Sequence, residues 1–149
     1  MIARPLSKVH VLDVADRVPL QNNSQLGLVL SAMPVYLQPG RGLALIDNGK
    51  VYAVTGLAPV WEGVAEAWFL PTREMQGKRI QTIRLVKREL DAAITRLKLT
   101  RVQAVVRSDF TNAHKLAKFL GFTSEGVMHK YGPDGLDYER YAKWKHCHL

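Results

Sequence analysis

Apolar positions along this chain follow two periods, and the change between them organises the sequence. Lys8-Val-His-Val-Leu-Asp13 alternates, is rich in β-branched residues, and reads as a first strand. Asp13 or Asp16 would cap a helix following it. Residues 15–37 mix short helical pieces with polar breaks such as Asn22-Asn23-Ser24. Gly42 to Ile46 and Lys50 to Thr55 then flank Asp47-Asn48-Gly49. That turn tolerates positive φ and predicts a β-hairpin. Val64 to Leu70 is a further apolar, aromatic strand, ended by Pro71, which cannot donate to a ladder.

After Pro71 the period lengthens. Ile80, Ile83, Val86, Leu90, Ile94 and Leu97 recur every three or four residues, one stripe on a helix of about five turns. Val102 to Arg107 reads as a short buried strand. Asn112 to Leu120 reads as a second helix, with Asp109 or Thr111 as N-cap and Gly121 closing it. Gly126 to Tyr131 and Leu136 to Trp144 read as strands joined through Pro133-Asp134-Gly135. The order is strand, helical region, three strands, long helix, strand, helix, two strands. It predicts an α/β sheet, mostly antiparallel early, with a strand–helix–strand crossover after Leu70. A helix opening directly after a central strand is a ready anion site.

The chain has 149 residues, 47% hydrophobic and 23% charged, which is globular usage. One domain over residues 1–149 is expected, burying about 68–70% of its unfolded surface. There is no internal repeat, and the turn-rich stretch Pro34 to Gly42 reads as a loop within that domain. Cys147 is the single cysteine, so no intrachain disulfide forms and a reducing, cytoplasmic setting is expected. No stretch approaches the roughly 18 apolar residues of a membrane span, and Met1 to Lys8 lacks the pattern of a signal peptide. Integral membrane proteins and disulfide-knotted secreted domains are thereby excluded.

Charge sharpens the picture. Residues 1–72 hold five Lys/Arg and five acids, whereas residues 73–149 hold 16 bases against eight acids. The whole net charge of +8 therefore lies in the second half. It predicts either an anionic partner or a solvated basic face there.

Four segments resemble the GNAT superfamily of acyl-CoA-dependent N-acyltransferases. They are the Asp47-Asn48-Gly49 hairpin with Val51 to Gly56, the strand Ala65 to Pro71, the run Gln76-Gly77-Lys78-Arg79-Ile80-Gln81, and Asn112 through Gly121-Phe122 followed by Glu125 to Tyr131. The likeness covers roughly residues 40–144 by this matching of elements, and its details are most similar to small GNAT-like proteins encoded by bacteriophages. It implies a GNAT-like fold: a mixed, mostly antiparallel sheet of six to seven strands flanked by helices. It also implies an acetyl-CoA-dependent transfer of an acetyl group to an amine, in the host cytoplasm or in a virion. The family's loop usually reads Arg/Gln-x-x-Gly-x-Gly/Ala. Gly77 matches it, but Arg79 and Gln81 stand where small residues often sit. Those side chains either crowd the phosphates or, with Lys78, contact them directly.

The resemblance assigns cofactor binding to Phe69, Leu70, Gln76, Gly77, Lys78, Arg79, Ile80, Gln81, Asn112 and Lys115. Helix capping would equally account for Asn112, and solvation for Lys115. Glu66 stands where the family often places its general base, among Val64, Ala65, Ala67 and Trp68, apolar neighbours that would raise its pKa. An outward-facing strand glutamate is the other reading. A backbone N–H near Leu70 would hold the oxyanion. The family's tyrosine, four residues before Gly-Phe, is replaced by Ala117, so Tyr131 is the preferred acid, with Tyr138 and Tyr141 as substitutes. A metal at His146-Cys147-His148 is not expected.

Arg84, Lys87, Arg88 and Arg96 are not needed by a cofactor and form a basic outer face. Three functions follow. The first is the acetyltransferase, acting on a protein lysine, an N-terminus or a small amine, as monomer or homodimer. The second is a degenerate member of the fold that binds a protein partner in virion assembly or in the host. Nucleic-acid binding, suggested by charge alone, ranks last.

Overall fold

The computed structural model describes residues 1–31, 33, 37–38 and 40–145. The His146-Cys147-His148 tract and part of the Pro34–Gly42 stretch lie outside them. Among the described residues, seven strands form one sheet in the order β1-β2-β3-β4-β5-β7-β6. They are β1 (Ile2–Pro5), β2 (Gly42–Asp47), β3 (Lys50–Trp61), β4 (Val64–Pro71), β5 (Arg101–Arg107), β6 (Thr123–Met128) and β7 (Tyr138–Trp144). The α-helices are α1 (Lys8–Ala15), α2 (Asn23–Ser31), α3 (Arg79–Arg96) and α4 (Thr111–Phe119). The architecture is the expected α/β one, with α3 linking β4 to its parallel neighbour β5. The chain divides into two compact units, each made of two segments: Met1–Ala58 with Trp68–Ala93, and Pro59–Ala67 with Ile94–Leu149.

The first unit corrects the start of the sequence reading. The alternating run from Lys8 is helix α1, and the first strand lies before it. Ser7 is the N-cap, and its backbone N–H donates to Nδ1 of His10 at 3.1 Å. Val11 and Val14 stand three positions apart and are both fully buried, whereas Val9 is 73% exposed. Burial at helical spacing and a capped start override the β propensity of the valines. Asp13 and Asp16 therefore cap no helix start: Asp13 pairs with Arg17, and Asp16 is the C-cap of α1. The hairpin forms as expected, with Asn48 and Gly49 both at positive φ, the geometry that matches the strands' twist. Around it, Leu6, Val11, Val14, Val18, Val29, Ala44, Val51, Val54, Trp68 and Leu70 make one core.

A 3₁₀ turn, Arg73–Lys78, precedes α3. Within α3 the buried positions are Thr82, Leu85, Val86 and Ala93, while Ile80 is 62% exposed. The apolar stripe is thus rotated from the predicted one. Thr82 can be buried because its hydroxyl donates to the Lys78 carbonyl at 2.8 Å.

In the second unit β5, β7 and β6 are antiparallel neighbours, and β4 enters beside β5 with Val64–Glu66 opposite Arg101–Gln103. Neither Asp109 nor Thr111 caps α4: the N-cap is Phe110, and Asp109 pairs with Arg107 instead. The C-terminus follows the sequence closely. Gly121 has φ +92°, its N–H donates to the Lys118 carbonyl, and the Phe122 N–H donates to Ala117. This pair of bonds satisfies carbonyls the helix leaves open. The predicted turn at Pro133–Gly135 closes by Gly135 N–H to Gly132 C=O, but β6 ends at Met128, earlier than expected.

Candidate active site

Glu66 sits in the second unit, at the last β4 position that pairs with β5. Side chains alternate along a strand. Glu66 therefore shares a face with Arg101 and Gln103 of β5 and with Arg140 of β7. Nη1 of Arg140 donates to both carboxylate oxygens of Glu66 at 2.9 Å. The pair is partly buried, with 28% of the Glu66 side chain and 21% of the Arg140 side chain exposed. Beside it Arg101 grips Glu125, at 2.6 and 3.0 Å, and donates from Nε to Gln103. The Arg101 guanidinium holds the Glu125 carboxyl below its ordinary range. Two carboxylates and two guanidiniums thus form a neutral band across four strands. Glu66 is not surrounded by apolar groups alone, because its carboxylate is clamped by a cation. Arg140 carried no signal in the sequence beyond a basic residue on a hairpin strand.

The opposite face of the same strands carries Tyr141, 1% exposed, against α4. Its hydroxyl lies 2.7 Å from Nδ1 of His114, and Nε2 of His114 lies 3.2 and 3.1 Å from the carbonyls of Arg107 and Ser108. Two carbonyls can only accept, so Nε2 carries a hydrogen; the Tyr141 hydroxyl stands between Nδ1 and the Glu139 carboxylate, with one hydrogen for the two. Burial, then Glu139, pushes the Tyr141 phenol up. The Ser124 hydroxyl, and after it Tyr141, holds the Glu139 carboxyl low.

Tyr131 is half exposed, with its ring edge-on to Tyr138 at 5.7 Å. Tyr138 donates to Asp134 at 3.0 Å, and its phenol is pushed up to about 12, first by burial and then by that carboxylate. Asn112 and Lys115 are both exposed on α4, and Asn112 does not cap it. Tyr131, Asn112 and Lys115 belong to the second unit with Glu66; Phe69, Leu70 and Gln76 to Gln81 belong to the first.

In the first unit Leu70 is fully buried at the end of β4, and the Phe69 carbonyl accepts from the side-chain amide of Gln25. Gln76, Gly77, Ile80 and Gln81 are exposed where the 3₁₀ turn passes into α3. A Cβ on Gly77 would meet nothing within 4 Å, so the turn is open. Lys78 is not free for a ligand: Asp47 holds its ammonium at 2.9 Å and raises its pKa. Arg79 makes no ion pair among the described residues, and the first turn of α3 holds no acid. Gln81 faces a shallow groove of about 440 Å³, lined also by Met1, Arg84, Leu85 and Arg88. Among the described residues there is no cluster of three or more His, Cys, Asp or Glu suited to a metal, and no helix is long and apolar enough to cross a membrane.

No protein-family model and no curated protein matches the sequence. Solved structures do match. A point mutant of spermidine N-acetyltransferase SpeG from Vibrio cholerae aligns over 97% of this chain and 95% of its own, with TM-score 0.74 and 17% identity. Ard1 from Thermoplasma volcanium aligns over 96% of both chains, with TM-score 0.78 and 15% identity. Ribosomal-protein-alanine N-acetyltransferase from Brucella melitensis aligns over 97% of this chain and 100% of its own, with TM-score 0.76 and 14% identity. The fold is the GNAT fold. Within it, the strand bearing Glu66 and the turn bearing Gly77 are present as expected, while the Arg140 clamp and the Lys78–Asp47 pair are features that sequence reasoning missed.

Proposed function

We propose that the protein is an acetyl-CoA-dependent N-acetyltransferase acting on an amine. The likeness over nearly the whole chain to N-acetyltransferases of differing acceptors carries this reading. The residues present fit an acyl-CoA. The turn at Gly77 is open, Arg79 is unpaired among the described residues, and no acid competes in the first turn of α3. The backbone from Gly77 to Gln81 and the Arg79 guanidinium would hold the pyrophosphate. Lys78 contributes less because Asp47 already neutralises it.

Acetyl-CoA supplies the thioester that the acceptor attacks. Glu66 takes the proton from the acceptor ammonium, directly or through one water, leaving the nitrogen lone pair free. As the N–C bond forms, the C–S bond breaks, its electron pair going to sulfur. Tyr131 is the proton donor to that sulfur, and it is reprotonated through solvent by the second proton, which the nitrogen sheds on becoming an amide. A thiol is acidic enough to depart without much help, so the loss of a tyrosine at Ala117 is tolerable. Calorimetric titration with acetyl-CoA, followed by an assay of CoA release with a panel of amines, tests the reading. Micromolar binding and turnover are expected; no binding at millimolar ligand overturns it.

The clamp on Glu66 and the alanine at position 117 favour a second reading, a non-catalytic member of the fold that binds a protein partner. Under it, Glu66→Gln leaves function in vivo unchanged.

A further inference from the structure

None of the six residues in the turn Arg73–Lys78 is buried, so core packing does not fix its path into α3. A 3₁₀ turn is also a weakly bonded conformation. Its two ends are nevertheless strapped, and both straps reach back to the β2–β3 hairpin. We propose that Arg17, just past the end of α1, is a positioning residue for acyl-CoA binding. It holds the start of the turn on the path that presents the Gly77–Gln81 backbone to the pyrophosphate, a role that rests on the reading of that backbone as the cofactor site.

The geometry is that of a clamp. Nη2 of Arg17 donates to the Val51 carbonyl at 2.8 Å and to the Asp13 carboxylate at 3.0 Å. Nη1 donates to the Glu74 carboxylate at 3.4 Å. The Arg17 carbonyl accepts from the Arg73 N–H at 2.8 Å. Main chain and side chain of one residue therefore grip the first two residues of the turn. Only a planar fork of donors spans a strand carbonyl and a turn carboxylate at once; an ammonium on one flexible stem does not.

The anchor is rigid and the clamp is sheltered. Val51 is 4% exposed and belongs to the core of the first unit. The Arg17 side chain is 17% exposed, so its charge-assisted bonds are less screened than those of a surface pair. At the far end of the turn Asp47, the last residue of β2, holds Lys78 at 2.9 Å. Between the two straps Gly77 touches nothing that would hold it from outside.

Backbone N–H groups bind phosphate only when they point at it together. A turn freed at its start spends part of its time on other paths, and affinity falls by the fraction of time that the binding path is occupied. The core does not include the turn, so the fold outlasts the loss of the clamp. A purely structural role for Arg17 predicts the opposite result: fewer folded molecules, each binding as tightly as before.

Two measurements separate these outcomes. Calorimetric titration with acetyl-CoA gives both Kd and the number of sites, and amide hydrogen exchange without ligand reports on the turn itself. Arg17→Met should raise Kd about tenfold with the number of sites unchanged, as expected if the freed turn is competent about a tenth of the time. Exchange of the amides of residues 73–81 should accelerate, while those of α3 beyond Thr82 stay protected. Glu74→Gln leaves Arg17 and its bond to Val51 in place and is the second variant should the first not fold; it should move Kd and exchange the same way, by about threefold. An unchanged Kd in a folded variant, or a loss of sites at constant Kd, overturns the role of Arg17 alone. Absence of acetyl-CoA binding by the wild type at millimolar ligand overturns the cofactor reading, and the role of Arg17 with it.

Discussion

The Tyr141 hydroxyl and His114 Nδ1 lie 2.7 Å apart at the junction of β7 and α4. Through His114 this bond ties the buried strand to the carbonyls of Arg107 and Ser108, where the chain leaves β5. Tyr141→Phe removes the hydroxyl that the ring nitrogen and the Glu139 carboxylate share. The expected loss is about 1–3 kcal/mol of stability, the cost of an unsatisfied buried polar group. Urea unfolding measures it, and His114→Ala in the Tyr141→Phe background should add less than it does alone.

Tyr138 predicts an alkaline transition. Its folded pKa, about 12, lies above the usual value near 10. The folded state therefore retains a proton that the unfolded state gives up. The stabilisation is complete below pH 10 and disappears as pH rises from there to about 12. Melting temperature between pH 9 and 12 should fall more steeply for the wild type than for Tyr138→Phe. Phenolate absorbance should lose a late-titrating component in Tyr138→Phe.

Glu66→Gln keeps the shape of the side chain but cannot accept a proton. On the catalytic reading, kcat/KM should fall about 10²–10⁴-fold, the range for a lost general base. Affinity for acetyl-CoA should be unchanged by calorimetry. A parallel fall in both would mean the strand itself had shifted.

Arg79 and Lys78 should behave differently despite being neighbours. Arg79→Ala should weaken acetyl-CoA binding about tenfold or more, as a charge-assisted contact of about 1.5–3 kcal/mol requires. Lys78→Ala should cost less, because Asp47 already occupies that ammonium. Titration at two salt concentrations checks the ordering.

Gly56 is confined by its surroundings rather than by its φ. A Cβ there would lie 2.5 Å from the Arg41 carbonyl oxygen and 2.7 Å from the Trp68 indole nitrogen. Gly56→Ala should destabilise the protein by about 1–3 kcal/mol or more, an overpacking cost seen as a lower melting temperature.

Much of the fold could be read from the chain because local signals agreed with tertiary ones. Asn48-Gly49 demanded a hairpin, Gly121 demanded a helix end, and the three-to-four spacing after Pro71 demanded a helix. The failure at Lys8–Asp13 is instructive. Alternating valines are compatible with a helix when only Val11 and Val14 need burial, and the Ser7 cap that decides the matter is a short polar signal. Position along β4 was readable for Glu66, but its environment was not. Its clamp comes from Arg140, 74 residues later, and no local pattern links positions that only strand order brings together. The same holds for Lys78 and Asp47, whose pairing removes one of the cations that the loop sequence offered.

The charged band has a further consequence for how this half of the sheet assembles. Its four ions come from four strands, at positions 66, 101, 125 and 140, and each is answered by an ion from another strand. A slip of β7 by one residue would bring Tyr141 to the polar face and drive the Arg140 guanidinium against α4 without a counter-ion. Only one alignment satisfies every charge. The ion pairs thus act as a proofreading device for strand register, penalising near-native pairings that an all-apolar sheet would tolerate.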